Sequence, residues 1–88
     1  MFLQGGDTMN ITQAVKMRFE ELCNQRNLNF SKLATISGVP YTTVKSIFYG
    51  YSLNPGIATI KKLCDGLGIT ITEFFDTEMF RHLEQEIL

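Results

Sequence analysis

NFSKLATISGVPYTTVKSIFY, residues Asn29–Tyr49, holds two short helical patterns separated by the turn Gly38-Val39-Pro40. In the second pattern, Tyr41 to Tyr49, Val44, Ile47 and Phe48 stand at i, i+3 and i+4 and must share the side that faces the core. That leaves Tyr41, Thr42, Lys45, Ser46 and Tyr49 on the other side. Four of these, Thr42, Lys45, Ser46 and Tyr49, form one continuous stripe at i, i+3, i+4 and i+7. In the first pattern Asn29 is placed to cap the helix, with Leu28 and Leu33 in the positions of a hydrophobic staple. Leu33, Ala34 and Ser37 give a narrow face that permits another helix to approach closely. Gly38 suits the left-handed residue that ends a helix, Pro40 sets the start of the next, and Gly50 stops it.

Working outward, Ile11, Ala14, Val15, Phe19 and Leu22 recur at helical spacing and predict a helix from Ile11 to Arg26, opened by an Asn10/Gln13 capping box and stopped near Asn27. Asn54-Pro55 reads as a capping Asn followed by Pro at the first helical position. Ile60, Leu63, Cys64 and Leu67 then mark a fourth helix closed by Gly68. Thr70 and Glu73 make a capping box for a short fifth helix containing Phe74-Phe75. Asp76 or Thr77 can cap a sixth, with an apolar stripe of Met79, Phe80, Leu83 and Ile87. The expected organisation is a flexible leader over 1–9 with Met9 as an alternative start, a domain over 10–75, and a C-terminal helix over 76–88 that packs on the core or forms a dimer contact. No segment alternates convincingly as a strand, so the fold class is all-α.

The chain has 88 residues, 44% of them apolar and 11% aromatic, which suits one globular domain. No apolar run is long enough to cross a bilayer, and the opening MFLQGGDT lacks the basic start and sustained apolar stretch of a secretory signal. Cys23 and Cys64 fall on apolar helix faces and read as buried thiols in a reducing cytoplasm, with a disulfide between them as the alternative. One His and scattered acids assemble neither a catalytic triad nor a metal site, so neither an enzyme nor a metal or cofactor is expected. The net charge is −1, but its layout is uneven. Residues 22–64 carry Arg26, Lys32, Lys45, Lys61 and Lys62 without an acid, whereas residues 65–88 carry six acids against Arg81 alone. Such a layout sets up a field that a net charge conceals.

A short helix, a Gly-containing turn and a second helix with a bare polar face meet the requirements of a helix-turn-helix. The outward stripe is then free to meet base edges in the major groove, where Thr and Ser pair with any base and Lys pairs with guanine or a phosphate. The plainer readings make Tyr41 and Tyr49 surface cover, and Lys45, Lys61 and Lys62 solvated cations.

From about Asn29 to Phe75 the chain resembles the Cro and phage-repressor type of helix-turn-helix protein, the XRE family. The resemblance is carried by Leu33-Ala34, Gly38-Val39, Thr43-Val44, Ile47, Gly50, Asn54-Pro55, Thr59-Ile60, Leu63-Cys64, Leu67-Gly68-Ile69 and Glu73-Phe74-Phe75. It is similar in style to small regulators of Gram-positive bacteria and their phages. It implies a five-helix, lambda-repressor-like DNA-binding domain, here with the additional C-terminal amphipathic helix, acting as a dimeric transcriptional regulator on a palindromic double-stranded operator. By position it assigns base reading to Tyr41, Thr42, Lys45 and Ser46, and phosphate contact to Lys32, Thr43, Tyr49, Tyr51, Asn54 and Thr59. Met79, Phe80, Leu83 and Ile87, the apolar stripe of the C-terminal helix, either pack on the domain's own core or form the dimer contact. Two residues depart from the family pattern: Phe30 stands where a phosphate-binding Gln is common, and Phe48 where Glu is usual. No basic residue lies at Tyr51 or Leu53. These departures predict weak nonspecific affinity, and they motivate the alternative of a protein-interaction module, antitoxin-like or a repressor partner, engaged through the C-terminal helix.

Overall fold

The computed structural model of the chain describes residues 9–87. Its helices are α1 (Ile11–Gln25), α2 (Phe30–Ser37), α3 (Tyr41–Phe48), α4 (Ile57–Leu67), α5 (Ile71–Phe75) and α6 (Glu78–Arg81), with no strand among the described residues. Capping side chains open three of the six helices, α1, α2 and α5. Asn10 Oδ1 accepts from the Gln13 amide at 2.8 Å while Gln13 Oε1 accepts from the Asn10 amide at 3.0 Å, closing the box that starts α1. Asn27 takes a left-handed φ of 55°, a conformation Asn tolerates better than most side chains, and breaks the chain between α1 and α2. Arg26 is therefore the cap residue of α1 and not its last turn. Asn29 Oδ1 accepts from the Lys32 amide at 2.9 Å, and Gly38 ends α2 at φ 66°. Thr70 and Glu73 exchange a second reciprocal pair at the start of α5, at 2.8 and 3.0 Å.

The core is continuous through the helices. The Phe19 ring is fully buried, 4.5 Å from that of Phe74 and 6.5 Å from that of Phe48. Leu33, Val44, Leu63 and Cys64 are also at 0% exposure. Burying side chains of this size contributes about 1.5–3 kcal/mol each. α2 packs chiefly on α4 and α3. The approach to α4 is close because Gly66 has no side chain: a Cβ there would lie 2.1 Å from Ser37 Oγ and 3.0 Å from Ser37 Cα. The small face of α2 thus meets α4, with Ser37 as its point of contact. Arg18 ties α1 to α5, donating from Nε to the Phe74 carbonyl at 2.7 Å and from Nη2 to the Glu73 carbonyl at 3.0 Å. These carbonyls lie at a helix C-terminus, where acceptors are unsatisfied and a cation is favoured.

Two expectations are corrected. Asn54 is not a cap and Pro55 is not helical: α4 begins at Ile57, with Gly56 in extended conformation as its cap residue and no side-chain cap. The loop is drawn out by a contact distant in sequence, in which the Thr12 hydroxyl donates to the Leu53 carbonyl at 2.6 Å and holds residues 53–55 against the start of α1. The C-terminal helix expected over 76–88 is a single turn, Glu78–Arg81. Thr77 supplies no side-chain cap, and the Glu84 amide donates to the Met9 carbonyl at 3.1 Å, so the backbone there pairs with the lead-in to α1. Further helix would also place Glu84 and Glu86 at its negative end. Leu83 and Ile87 therefore lie beyond the helix, and no helical stripe joins them to Met79 and Phe80. Finally, the expected leader over 1–9 lies outside the described residues except for Met9, which that same bond anchors.

Candidate nucleic-acid interface

The rotation of α3 follows from its apolar residues. Val44, Ile47 and Phe48 are 0%, 3% and 4% exposed, so the opposite side is turned outward. Tyr41, Thr42 and Lys45 are exposed there, and Ser46 is half-buried beside them. α3 opens at Pro40 with no side-chain cap, leaving its first amides at the positive end of the helix without a side-chain acceptor.

The end of α3 is shaped by Gly50, whose left-handed φ of 78° turns the chain back. The Ser46 carbonyl then accepts from the Tyr51 amide at 2.8 Å and the Ser52 amide at 3.1 Å. This return places Tyr51, largely exposed, edge-on to Tyr49 at 6.1 Å. Tyr49 is the cap residue of α3. Phe30, the first residue of α2, packs on Phe48 at 4.3 Å and perpendicular to Tyr49 at 5.7 Å. Lys45 Nζ lies 5.5 Å from the centroid of the Tyr49 ring, in cation–π range. Phe30 and Phe48, the two residues that depart from the family pattern, are thus partners. A pairing between residues so far apart in sequence leaves no periodic trace; only the unusual side chain at position 30 signals it.

The expected phosphate-contacting residues are less gathered. Lys32 is exposed in the first turn of α2, Tyr49 and Tyr51 belong to the aromatic cluster, and Thr43 is half-buried with its amide donating to the Pro40 carbonyl at 3.0 Å. Thr59 is half-buried in the first turn of α4. Asn54 lines a groove with Ile11, Thr12, Leu53 and Pro55, next to the start of α1. Lys61 is paired with Asp65 one turn along α4.

Of the four residues expected at a dimer contact, Phe80 is turned onto Phe75 at 4.9 Å and Phe74 at 5.9 Å, Met79 and Leu83 are half-buried, and Ile87 is exposed. The exposed apolar side chains Leu53 and Ile57 line the groove that Glu86 also borders.

Elsewhere the titratable groups serve structure. Burial pushes both cysteine thiols, Cys23 and Cys64, above their ordinary value, and both are free. Hydrogen bonds from the Thr70 amide and hydroxyl hold Glu73 below the usual carboxylate range. His82 is exposed, with Nε2 3.1 Å from Glu78 Oε2. Among the described residues no group of three or more His, Cys, Asp or Glu side chains converges, and no helix is long and apolar enough to cross a membrane.

A family model described as the Cro/C1-type helix-turn-helix DNA-binding domain matches residues 18–79. The fold is similar to the crystal structure of the prophage Lp1 protein 11, with a TM-score of 0.73 and 36% sequence identity over 83% of this chain and 96% of that one. No curated protein matches the chain.

Proposed function

The chain belongs to the Cro/C1-type helix-turn-helix DNA-binding family, and from that premise we propose that it is a sequence-specific transcriptional regulator that inserts α3 into the major groove. The observation that carries this proposal is the outward face of α3. Tyr41, Thr42, Lys45 and Ser46 stand together there, opposite a side locked into the core by Val44, Ile47 and Phe48. These side chains offer hydroxyl donors and acceptors and one cation, the groups that pair with base edges. Lys32, Thr43, Tyr49, Tyr51, Asn54 and Thr59 are proposed to meet the flanking phosphates, which orient the protein without reading sequence. The acid-free stretch from 22 to 64 supplies the field that draws the duplex in.

The proposal extends to a homodimer on a palindromic site, its half-sites about 34 Å apart. Ile87, the most exposed of the four C-terminal apolar residues, is its best-placed dimer contact, with Leu53 and Ile57 as further exposed apolar side chains. Selection of bound duplexes from a random pool, followed by fluorescence anisotropy over a salt series, tests this. An enriched palindrome whose affinity falls steeply with salt is the expected result. Equal retention of all sequences at low salt would refute the reading and favour a protein-interaction module.

A further inference from the structure

We infer that the Tyr49 ring positions the Lys45 ammonium on the reading face of α3, and so makes Tyr49 a specificity-determining residue in addition to any phosphate contact by its hydroxyl. The inference rests on the DNA-binding reading above and adds to it a route by which the core fixes one base-reading group.

That route can be followed ring by ring. Phe19 is fully buried, and Phe48, 6.5 Å from it, is 4% exposed. Phe30 packs on Phe48 with centroids 4.3 Å apart and rings inclined at 50°. Tyr49 stands perpendicular to Phe30, at 5.7 Å and 78°, and is braced on a second side by Tyr51 at 6.1 Å and 86°. Both separations suit edge-to-face attraction between rings. The Tyr49 ring is therefore held in orientation although it is 52% exposed. Lys45 Nζ sits 5.5 Å from its centroid. A lysine side chain free in solvent samples many rotamers, so a cation held over a fixed ring loses less freedom when it meets an acceptor. The acceptors within its chemistry are guanine O6 and N7 in the major groove. A Gln at position 30 could offer an amide to a phosphate; Phe30 instead offers a ring to Tyr49.

Two measurements separate this inference from the reading it rests on. The first needs no DNA. In the proton NMR spectrum, the Lys45 ε-methylene signals are expected upfield of those of an unstructured lysine, through the ring current of Tyr49. The displacement should persist in Tyr49→Phe and vanish in Tyr49→Leu. Lys45 signals at the unstructured position in the native chain would overturn the inference whatever the protein binds.

The second measurement is the ratio of affinities for the duplex enriched by the native chain and a scrambled duplex of the same composition. Tyr49→Phe should leave this ratio unchanged, even if loss of the hydroxyl weakens binding to both duplexes. Tyr49→Leu should lower it about twofold to fivefold, the scale of an exposed cation–π contact. In a Lys45→Met background the same Tyr49→Leu change should have no effect on the ratio. An unchanged ratio in Tyr49→Leu, or a loss that persists without Lys45, would overturn the inference. A native chain that enriches no duplex overturns the DNA reading and the specificity role together, and the ring-current shift then reports separately on whether the Lys45–Tyr49 geometry exists.

Discussion

α3 and the segment that follows α5 both place apolar side chains against the same core, and they are held to very different degrees. α3 has three buried anchors within five residues, Val44, Ile47 and Phe48, and is bounded by Pro40 on one side and the left-handed Gly50 on the other. The C-terminal segment has one effective anchor, Phe80, against Phe74 and Phe75. Its helix lasts a single turn, and its next ordered tie is a backbone bond from Glu84 to Met9. Helical spacing of apolar residues therefore produces a full helix only where the core offers enough surface to receive them, since a short helix draws most of its stability from packing. For function, the contrast means that the outward face of α3, proposed above to read bases, stands on a firmly anchored helix, whereas the C-terminal segment is held by far fewer contacts.

Substitutions in both regions test the contrast. Ile47, at 3% exposure, should cost about 2–5 kcal/mol of stability on replacement by Ala, whereas Ile87→Ala at 80% exposure should stay within about 0.5 kcal/mol at concentrations where the chain is monomeric. Urea titrations followed by circular dichroism measure both. Similar losses would mean that the C-terminal segment is anchored as firmly as α3.

Next in size is the contact on which α2 rests. Gly66→Ala should destabilise by about 1–3 kcal/mol because the added methyl overlaps Ser37. Pairing it with Ser37→Ala should recover part of the loss by removing the nearest atom, Oγ, while the 3.0 Å approach to Ser37 Cα remains. Thermal melts of the single and double variants decide this; a neutral Gly66→Ala would show that α2 and α4 stand further apart.

The smallest effect concerns the cap of α5. Glu73 is held below its ordinary value of 4.5 by the Thr70 hydrogen bonds, so its folded-state carboxyl stays ionised at a lower pH than in the unfolded chain. The stability it adds is present above that ordinary value and is lost as the pH falls through the depressed one. Glu73→Gln keeps an acceptor for the Thr70 amide but cannot titrate. The difference in urea midpoint between native and variant should therefore be constant near neutrality and shrink in acid. A difference that does not change with pH would remove the carboxylate from the account.

How much of this was legible in the sequence depends on how far apart the deciding residues lie. The caps at Asn10, Asn29 and Thr70 and the stop at Gly38 each involve residues within one turn of each other, and each forms as expected. Asn54-Pro55 carries the same local signal and fails, because the Thr12 hydroxyl holds Leu53 from more than half the domain away. The outward face of α3 was readable because the rotation of one helix follows from its own apolar residues. The aromatic support beneath Lys45 was not, since it joins the start of α2 to the end of α3. The role of Gly66 was not legible either, because nothing local names Ser37 as its neighbour.

Base reading by the outward face of α3 is tested by comparing the sequences enriched by the native chain and by Thr42→Val from one random duplex pool. This substitution removes a hydroxyl from an exposed position on that face and leaves Val44, Ile47 and Phe48 untouched. A shifted preference at one position in each half-site, with the remaining positions unchanged, is the predicted result. The same enriched sequence from both proteins, at equal affinity, would contradict it.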